Sequence, residues 1–154
     1  MTGRIEAKLR DMGIDLPAPP APVASYVPTV TSGNLLFVSG QITSAPEGLK
    51  YVGVVGRDMK AEDGKAAARL CAINALAQVK SALGDLDRVS RCVKLSVFVN
   101  ATPDFTQHPE VANGASDLMV EVFGDAGKHA RAAVGAGSLP RGVAVEVEAI
   151  FEIA

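Results

Sequence analysis

The chain has 154 residues, 48% of them apolar, 21% charged and 5% aromatic. That is one domain's length with too much apolar surface for global disorder, so residues 1–154 are expected to form a single unit. Fifteen Lys and Arg against 17 Asp and Glu leave a net charge of -2, without the basic excess that binding to a phosphate backbone leaves in a sequence.

No apolar run approaches the ~20 residues of a membrane-spanning helix, and the N-terminus is charged rather than signal-like. Cys71 and Cys92 stand apart, with no Cys-x-x-Cys pair, so neither a disulfide framework nor a zinc site is expected. The reduced cytoplasm, with no membrane partner, is the expected compartment.

Residues 2–12 place Ile5, Leu9 and Met12 at helical intervals between Thr2, an N-cap residue type, and Gly13, a C′ type. A short amphipathic helix is predicted there. Residues 16–23 carry four prolines and predict an extended strap. Between 26 and 40, the runs YVPTVT and LLFVSG flank Ser32-Gly33-Asn34, the pattern of a β-hairpin. Residues 50–55 predict a third short strand, with Gly53 and Gly56 marking a bulge or a close backbone approach.

Residues 59–83 form the longest helical pattern. Its stripe is Leu70, Ile73, Leu76, Val79 and Leu83, filled in by alanines that let a helix lie close to a sheet. Residues 89–100 alternate, with Val89, Val93, Leu95, Val97 and Val99 opposed to Ser90, Lys94, Ser96 and Asn100. A third helix opens at Pro109, repeats Val111, Ala115, Leu118 and Val122, and stops at Gly124. Residues 131–138 and 143–153 predict two closing strands around the turn Leu139-Pro140-Arg141-Gly142.

This order predicts an α+β fold, a mixed sheet with two helices on one face. In the last strand Val145, Val147, Ala149, Phe151 and Ile153 form an apolar row, with Ala144, Glu146, Glu148, Ile150 and Glu152 opposite. One helical layer covers one side of a sheet, so the partly apolar second side predicts a homo-oligomer.

Residues able to carry chemistry are few: two isolated cysteines, two histidines, no nucleophile elbow and no glycine-rich phosphate loop. Arg131 enters a strand of tiny and apolar residues, either as a surface salt-bridge partner or as an anion-binding group. Glu146 sits among valines, where its carboxylate faces water, pairs with a cation, or is desolvated with a raised pKa. His108 and His129 read as surface or capping residues, Tyr26 as a packed phenol and Ser39 as a hydroxyl at a strand end.

Three spaced segments become recognisable together: Val38-Ser39-Gly40-Gln41, His129-Ala130-Arg131-Ala132-Ala133-Val134, and Leu139-Pro140 followed by Val145-Glu146-Val147-Glu148-Ala149-Ile150. The combination resembles the Rid family, also labelled YjgF-like or endoribonuclease L-PSP, over residues 22–154. The resemblance implies a chorismate-mutase-like fold assembled as a homotrimer, with clefts between subunits. It further implies hydrolysis of small 2-imino or enamine acids to a 2-keto acid and ammonia, with no metal or organic cofactor.

By the same positional match, Arg131 would hold a substrate carboxylate and Glu146 would position or activate water. Tyr26, Ser39 and Ala133 would line the cleft. Ala133 stands where RidA-type members commonly carry a cysteine, and His129 where a proline is usual. Residues 42–58 depart from the archetype and residues 2–21 extend beyond it, which implies a divergent branch. Two other functions stay open: a non-catalytic trimeric module that binds small carboxylates, and the ribonuclease of the family label, against which the acidic balance weighs.

Overall fold

The computed structural model describes residues 3–19 and 25–154. Helix α1 (Arg4–Asp11) opens the chain, with Ile5 and Leu9 buried. Its first amides are capped from far away in sequence: Arg4 N–H and Ile5 N–H donate to the two carboxylate oxygens of Asp87, each at 2.9 Å. These bonds stabilise the ionised form and hold the Asp87 carboxyl below the usual carboxylate range. Thr2, the expected cap, and part of the proline strap lie outside the described residues.

Strands β1 (Thr29–Ser32) and β2 (Leu35–Gln41) form the expected hairpin. The strand expected at residues 50–55 does not form. A two-stranded ribbon of β3 (Ser44–Ala45) and β4 (Gly48–Leu49) precedes it, and beyond that only isolated bridges occur, Val52 to Val143 and Val55 to Met59 and Ala101. Positive φ angles at Tyr51 (+52°), Gly53 (+145°) and Gly56 (+96°) interrupt the extended path that a strand requires.

Helix α2 (Ala61–Leu83), strand β5 (Val89–Asn100), helix α3 (His108–Phe123), strand β6 (Ala130–Ala136) and strand β7 (Val145–Ile153) complete the fold. The main sheet has the order β1-β2-β7-β5-β6. β6 runs parallel to β5 and the other pairs are antiparallel, so the sheet is mixed, as expected. The closing strands do not pair with each other: β7 inserts between β2 and β5, leaving β6 at an edge.

In that central place β7 turns Val145, Val147, Ala149 and Phe151 into the core beneath α2 and α3. The buried side of α2 is made of smaller residues than its leucine stripe suggests. Ala67, Ala68, Cys71, Ala72 and Ala75 are fully covered, whereas Leu70, Ile73 and Leu83 lie half-buried at the flanks. Short side chains bring the helix close to its neighbours, and the larger ones seal the margin.

Two assignments on β5 also change. A register shift between Cys92 and Lys94 turns Cys92 inward and leaves Val93 half-buried. Asn100, expected on the polar side, is buried, and its amide donates to Val143 O at 3.2 Å.

The other sheet face has no helical cover among the described residues, and Val30, Phe37 and Val134 are 51%, 40% and 46% exposed. No helix among those residues is long and apolar enough to cross a membrane.

The α2–α3 crossing supplies a stability prediction. A Cβ on Gly114 would lie 1.9 Å from Lys65 O, on the backbone of α2. Gly114→Ala must therefore separate the helices, and thermal denaturation should show a loss of about 1–3 kcal/mol; an unchanged midpoint would mean that the crossing has slack.

Candidate functional site

Arg131 lies on edge strand β6, paired with Leu95 of β5, so its side chain leaves the sheet on the helical side. There α3 meets it with two polar residues one helical turn apart, Asn113 and Ser116. Arg131 Nη1 donates to Asn113 Oδ1 at 2.8 Å and to Ser116 Oγ at 3.1 Å. Both hydrogens of that nitrogen are thereby used, while the Nη2 and Nε donors have no hydrogen-bond partner among the described residues. Arg131 takes part in no ion pair among those residues; its guanidinium is tethered at one corner and exposed at the rest.

His129, which the sequence left as a surface residue, anchors this tether. Its Nδ1 lies 2.6 Å from Gly127 O, and a carbonyl can only accept, so Nδ1 carries the proton. In the neutral ring Nε2 then accepts from the Ser116 hydroxyl at 2.9 Å, which aims a Ser116 lone pair at Arg131. Ala133, two residues along the strand, shares the Arg131 face and is half-buried. It adds no functional group.

Glu146 occupies the opposite side of the sheet. It pairs with Phe98 of β5, and its neighbours Val145 and Val147 are the residues that enter the core. A bulge in β2 between Val38 and Gln41 sets Ser39 and Gly40 beside this part of β7. A Cβ on Gly40 would come within 2.9 Å of the Glu146 carboxyl carbon, so glycine opens the slot in which that carboxylate lies. Half-burial raises the Glu146 pKa above the usual carboxylate range, and the charge of Glu148 adds to the shift.

Ser39 donates its hydroxyl to Val27 O at 2.7 Å, which ties β2 to the segment carrying Tyr26. Tyr26 is exposed rather than packed. A shallow cavity of about 340 Å³ opens on the same sheet face, lined by Phe37, Ser39, Lys94, Ser96 and Glu148 among others. A larger recess of about 660 Å³ lies elsewhere, between α1, the segment after it and the end of α2, and contains none of the expected site residues.

The five candidate positions thus divide into two groups. Arg131 and Ala133 stand at the β6–α3 edge, with Asn113 and Ser116, which sequence reading missed, and His129, which it took for a surface or capping residue. Glu146 and Ser39 stand on the uncovered sheet face, and Tyr26 precedes β1. Asn113 and Ser116 carried one signal, a polar pair at helical spacing beside the apolar stripe of α3. Both cysteines are buried: burial pushes the Cys71 thiol up, and Cys92 up to about 12, so neither is a thiolate near neutral pH.

Residues 6–150 match the family described as "YjgF/chorismate_mutase-like, putative endoribonuclease". Protein TCP17 of Trypanosoma cruzi is 51% identical over 153 residues, covering 99% of this chain and 96% of its own. The crystal structure of protein Atu1372 from Agrobacterium tumefaciens, of unknown function, superposes with a TM-score of 0.92 at 48% identity, over 97% of this chain and 92% of that one. The crystal structure of Escherichia coli TdcF with bound serine gives a TM-score of 0.61 at 25% identity, over 89% and 94%.

The raised Glu146 pKa has a stability consequence. A carboxyl that favours its protonated form in the folded chain stabilises folding most below its unfolded pKa, and that contribution fades as pH rises through the folded value. Glu146→Gln should therefore raise the thermal midpoint relative to the parent at about pH 8 and have a smaller effect near about pH 4. A pH-independent difference would show that the carboxylate is well solvated.

Proposed function

The chain belongs to the YjgF/chorismate mutase-like family, and from this premise we propose that it is a cofactor-independent hydrolytic deaminase of small 2-imino or enamine acids. The observation that carries the reading is the Arg131 guanidinium, oriented by Asn113 and Ser116 yet with its remaining donors uncommitted. The Nε hydrogen and the Nη2 hydrogen parallel to it form a two-pronged fork that matches a carboxylate. The serine bound to TdcF, a small molecule bearing a carboxylate, is consistent with such a ligand.

Arg131 and Glu146 leave opposite sides of one sheet, so a cleft containing both takes one residue from each of two protomers. The uncovered face, with its exposed Phe37 and Val134, would meet the β6–α3 edge of a neighbour in a closed homotrimer. Ser39, Tyr26 and Glu146 would come from one subunit and Arg131 and Ala133 from the next.

In that cleft Arg131 binds the substrate carboxylate and sets the imine carbon toward a water beside Glu146. The Glu146 carboxylate takes a proton from the water as its oxygen bonds to the carbon, which gives a carbinolamine. The same proton completes the amine of that carbinolamine, the hydroxyl proton then passes through the carboxylate to the nitrogen, the C–N bond breaks as C=O forms, and ammonia leaves: imine plus water gives keto acid plus ammonia. A carboxyl with a raised pKa suits this work, because the shift makes its ionised form a stronger base toward the water.

Ala133 beside the arginine favours a second reading, a module that binds small carboxylates without turning them over. Ammonia release from a freshly generated 2-imino acid separates the two. Under the deaminase reading Arg131→Ala should lower kcat/KM by about 100-fold or more, and Arg131→Lys should recover little of it. Arg131-dependent binding of a 2-keto acid without ammonia release would leave the binding module. RNA cleavage that survives Arg131→Ala would overturn both.

The shared cleft has its own test. Arg131→Ala and Glu146→Gln chains, inactive separately, are unfolded together in equal amounts and refolded. In a cyclic trimer with sites built across interfaces, each site has one chance in four of holding both intact residues, so about a quarter of the parental activity should return. No recovery in trimers shown by mass to be mixed would exclude a cleft shared in this way.

A further inference from the structure

Away from that cleft, three carboxylates converge where the N-terminal helix meets the body of the fold. Glu6 lies in the first turn of α1, and Asp85 and Asp87 belong to the short turn that leads into β5. One oxygen from each lies within 4.8 Å of the other two. Most of their bonds are caps. Asp87 accepts the Arg4 and Ile5 amides at 2.9 Å, Asp85 Oδ1 accepts the Asp87 amide at 2.9 Å, and Glu6 Oε1 accepts the Leu86 amide at 3.0 Å. Lys80 Nζ stands 3.8 Å from the same Glu6 oxygen.

Capping leaves one atom unexplained. Glu6 Oε2 is buried without a hydrogen-bond partner among the described residues, on a side chain only 7% exposed. A carboxylate oxygen removed from water and given no donor is strongly disfavoured unless something positive meets it. Gly3 lies underneath, where a Cβ would come within 2.5 Å of Asp85 Oδ1 and 2.7 Å of Glu6 Oε2. The carboxylates thus close over a residue without a side chain, in a cradle that any other residue would crowd.

We propose that Glu6, Asp85 and Asp87 bind one calcium ion, which ties α1 to the turn before β5. The donors are all oxygen, with no histidine or thiolate among them, which selects a hard cation. Carboxylate oxygens within 4.8 Å of one another suit the flexible shell of six to eight oxygens that calcium takes at roughly 2.3–2.6 Å, whereas magnesium demands a near-ideal octahedron at about 2.0–2.1 Å and gives up its waters reluctantly. Asp87 is exposed and Asp85 half-buried, so water can complete the shell from the solvent side. Lys80 beside Glu6, and Arg4 whose charge acts on Asp87, compete with the ion.

The test is calorimetry and thermal denaturation of the full chain, freed of metal with a chelator and titrated with calcium chloride to about 5 mM, above the weakest dissociation constants typical of such sites. One ion per chain should bind and the thermal midpoint should rise. Asp85→Asn, which can still accept the Asp87 amide through its side-chain oxygen, should weaken binding by at least about tenfold. Lys80→Met should tighten it, an effect that loss of a purely structural contact would not produce. Absence of heat and of a midpoint shift in the parent would overturn the proposal, as would an equal response to magnesium or an unchanged response in Asp85→Asn. Ammonia release plays no part in these readouts, so the result is independent of the deaminase reading.

Discussion

The central position of β7 governs the molecule. A strand with neighbours on both edges must commit each side chain to one sheet face or the other, and its two-residue alternation sends Val145, Val147, Ala149 and Phe151 under the helices and Glu146 and Glu148 to the uncovered side. Within the sheet β6 pairs with β5 alone, in parallel register, and that register turns Arg131 toward the helices. The two charged residues with the most chemical promise are therefore separated by the thickness of the sheet.

The arginine shows how a surface charge acquires a direction. An exposed guanidinium on a flexible stem loses most of an ion pair's energy to conformational entropy and solvent. Here α3 contributes Asn113 and Ser116, and Ser116 is itself oriented by His129, whose tautomer is set by the Gly127 carbonyl. The two ends of this chain have one role each, a carbonyl that only accepts and a guanidinium that only donates, so the imidazole and hydroxyl between them are left with a single sense. On the other face the same economy appears as a vacancy in the side-chain pattern: Gly40, next to a bulge, leaves room for a carboxylate whose surroundings favour the proton.

Local rules read the helices and the long strands well. Proline at the start of α3, glycine after it, and alternation through β5 and β7 all have short-range causes, and the elements stand where those causes put them. Where the reading slipped, a contact between distant segments decided. The bulge at Cys92 appears only against β7, the buried face of α2 is chosen by what lies beneath it, and residues 50–55 bend to meet Val143 and Ala101. The cap of α1 is a carboxylate from far along the chain, invisible to any rule about neighbouring residues.

The amino-acid order by itself determined the helices and the long strands, the two-sided character of β7, the family and the identity of Arg131 and Glu146 as the residues to watch, because propensity, periodicity and motif spacing are local properties of the chain. Only the tertiary structure decided strand order, and with it the face on which each of those side chains emerges. Period-two alternation tells which residues share a side, but not to which neighbour a strand pairs or in what direction, and here that choice separates the arginine from the carboxylate.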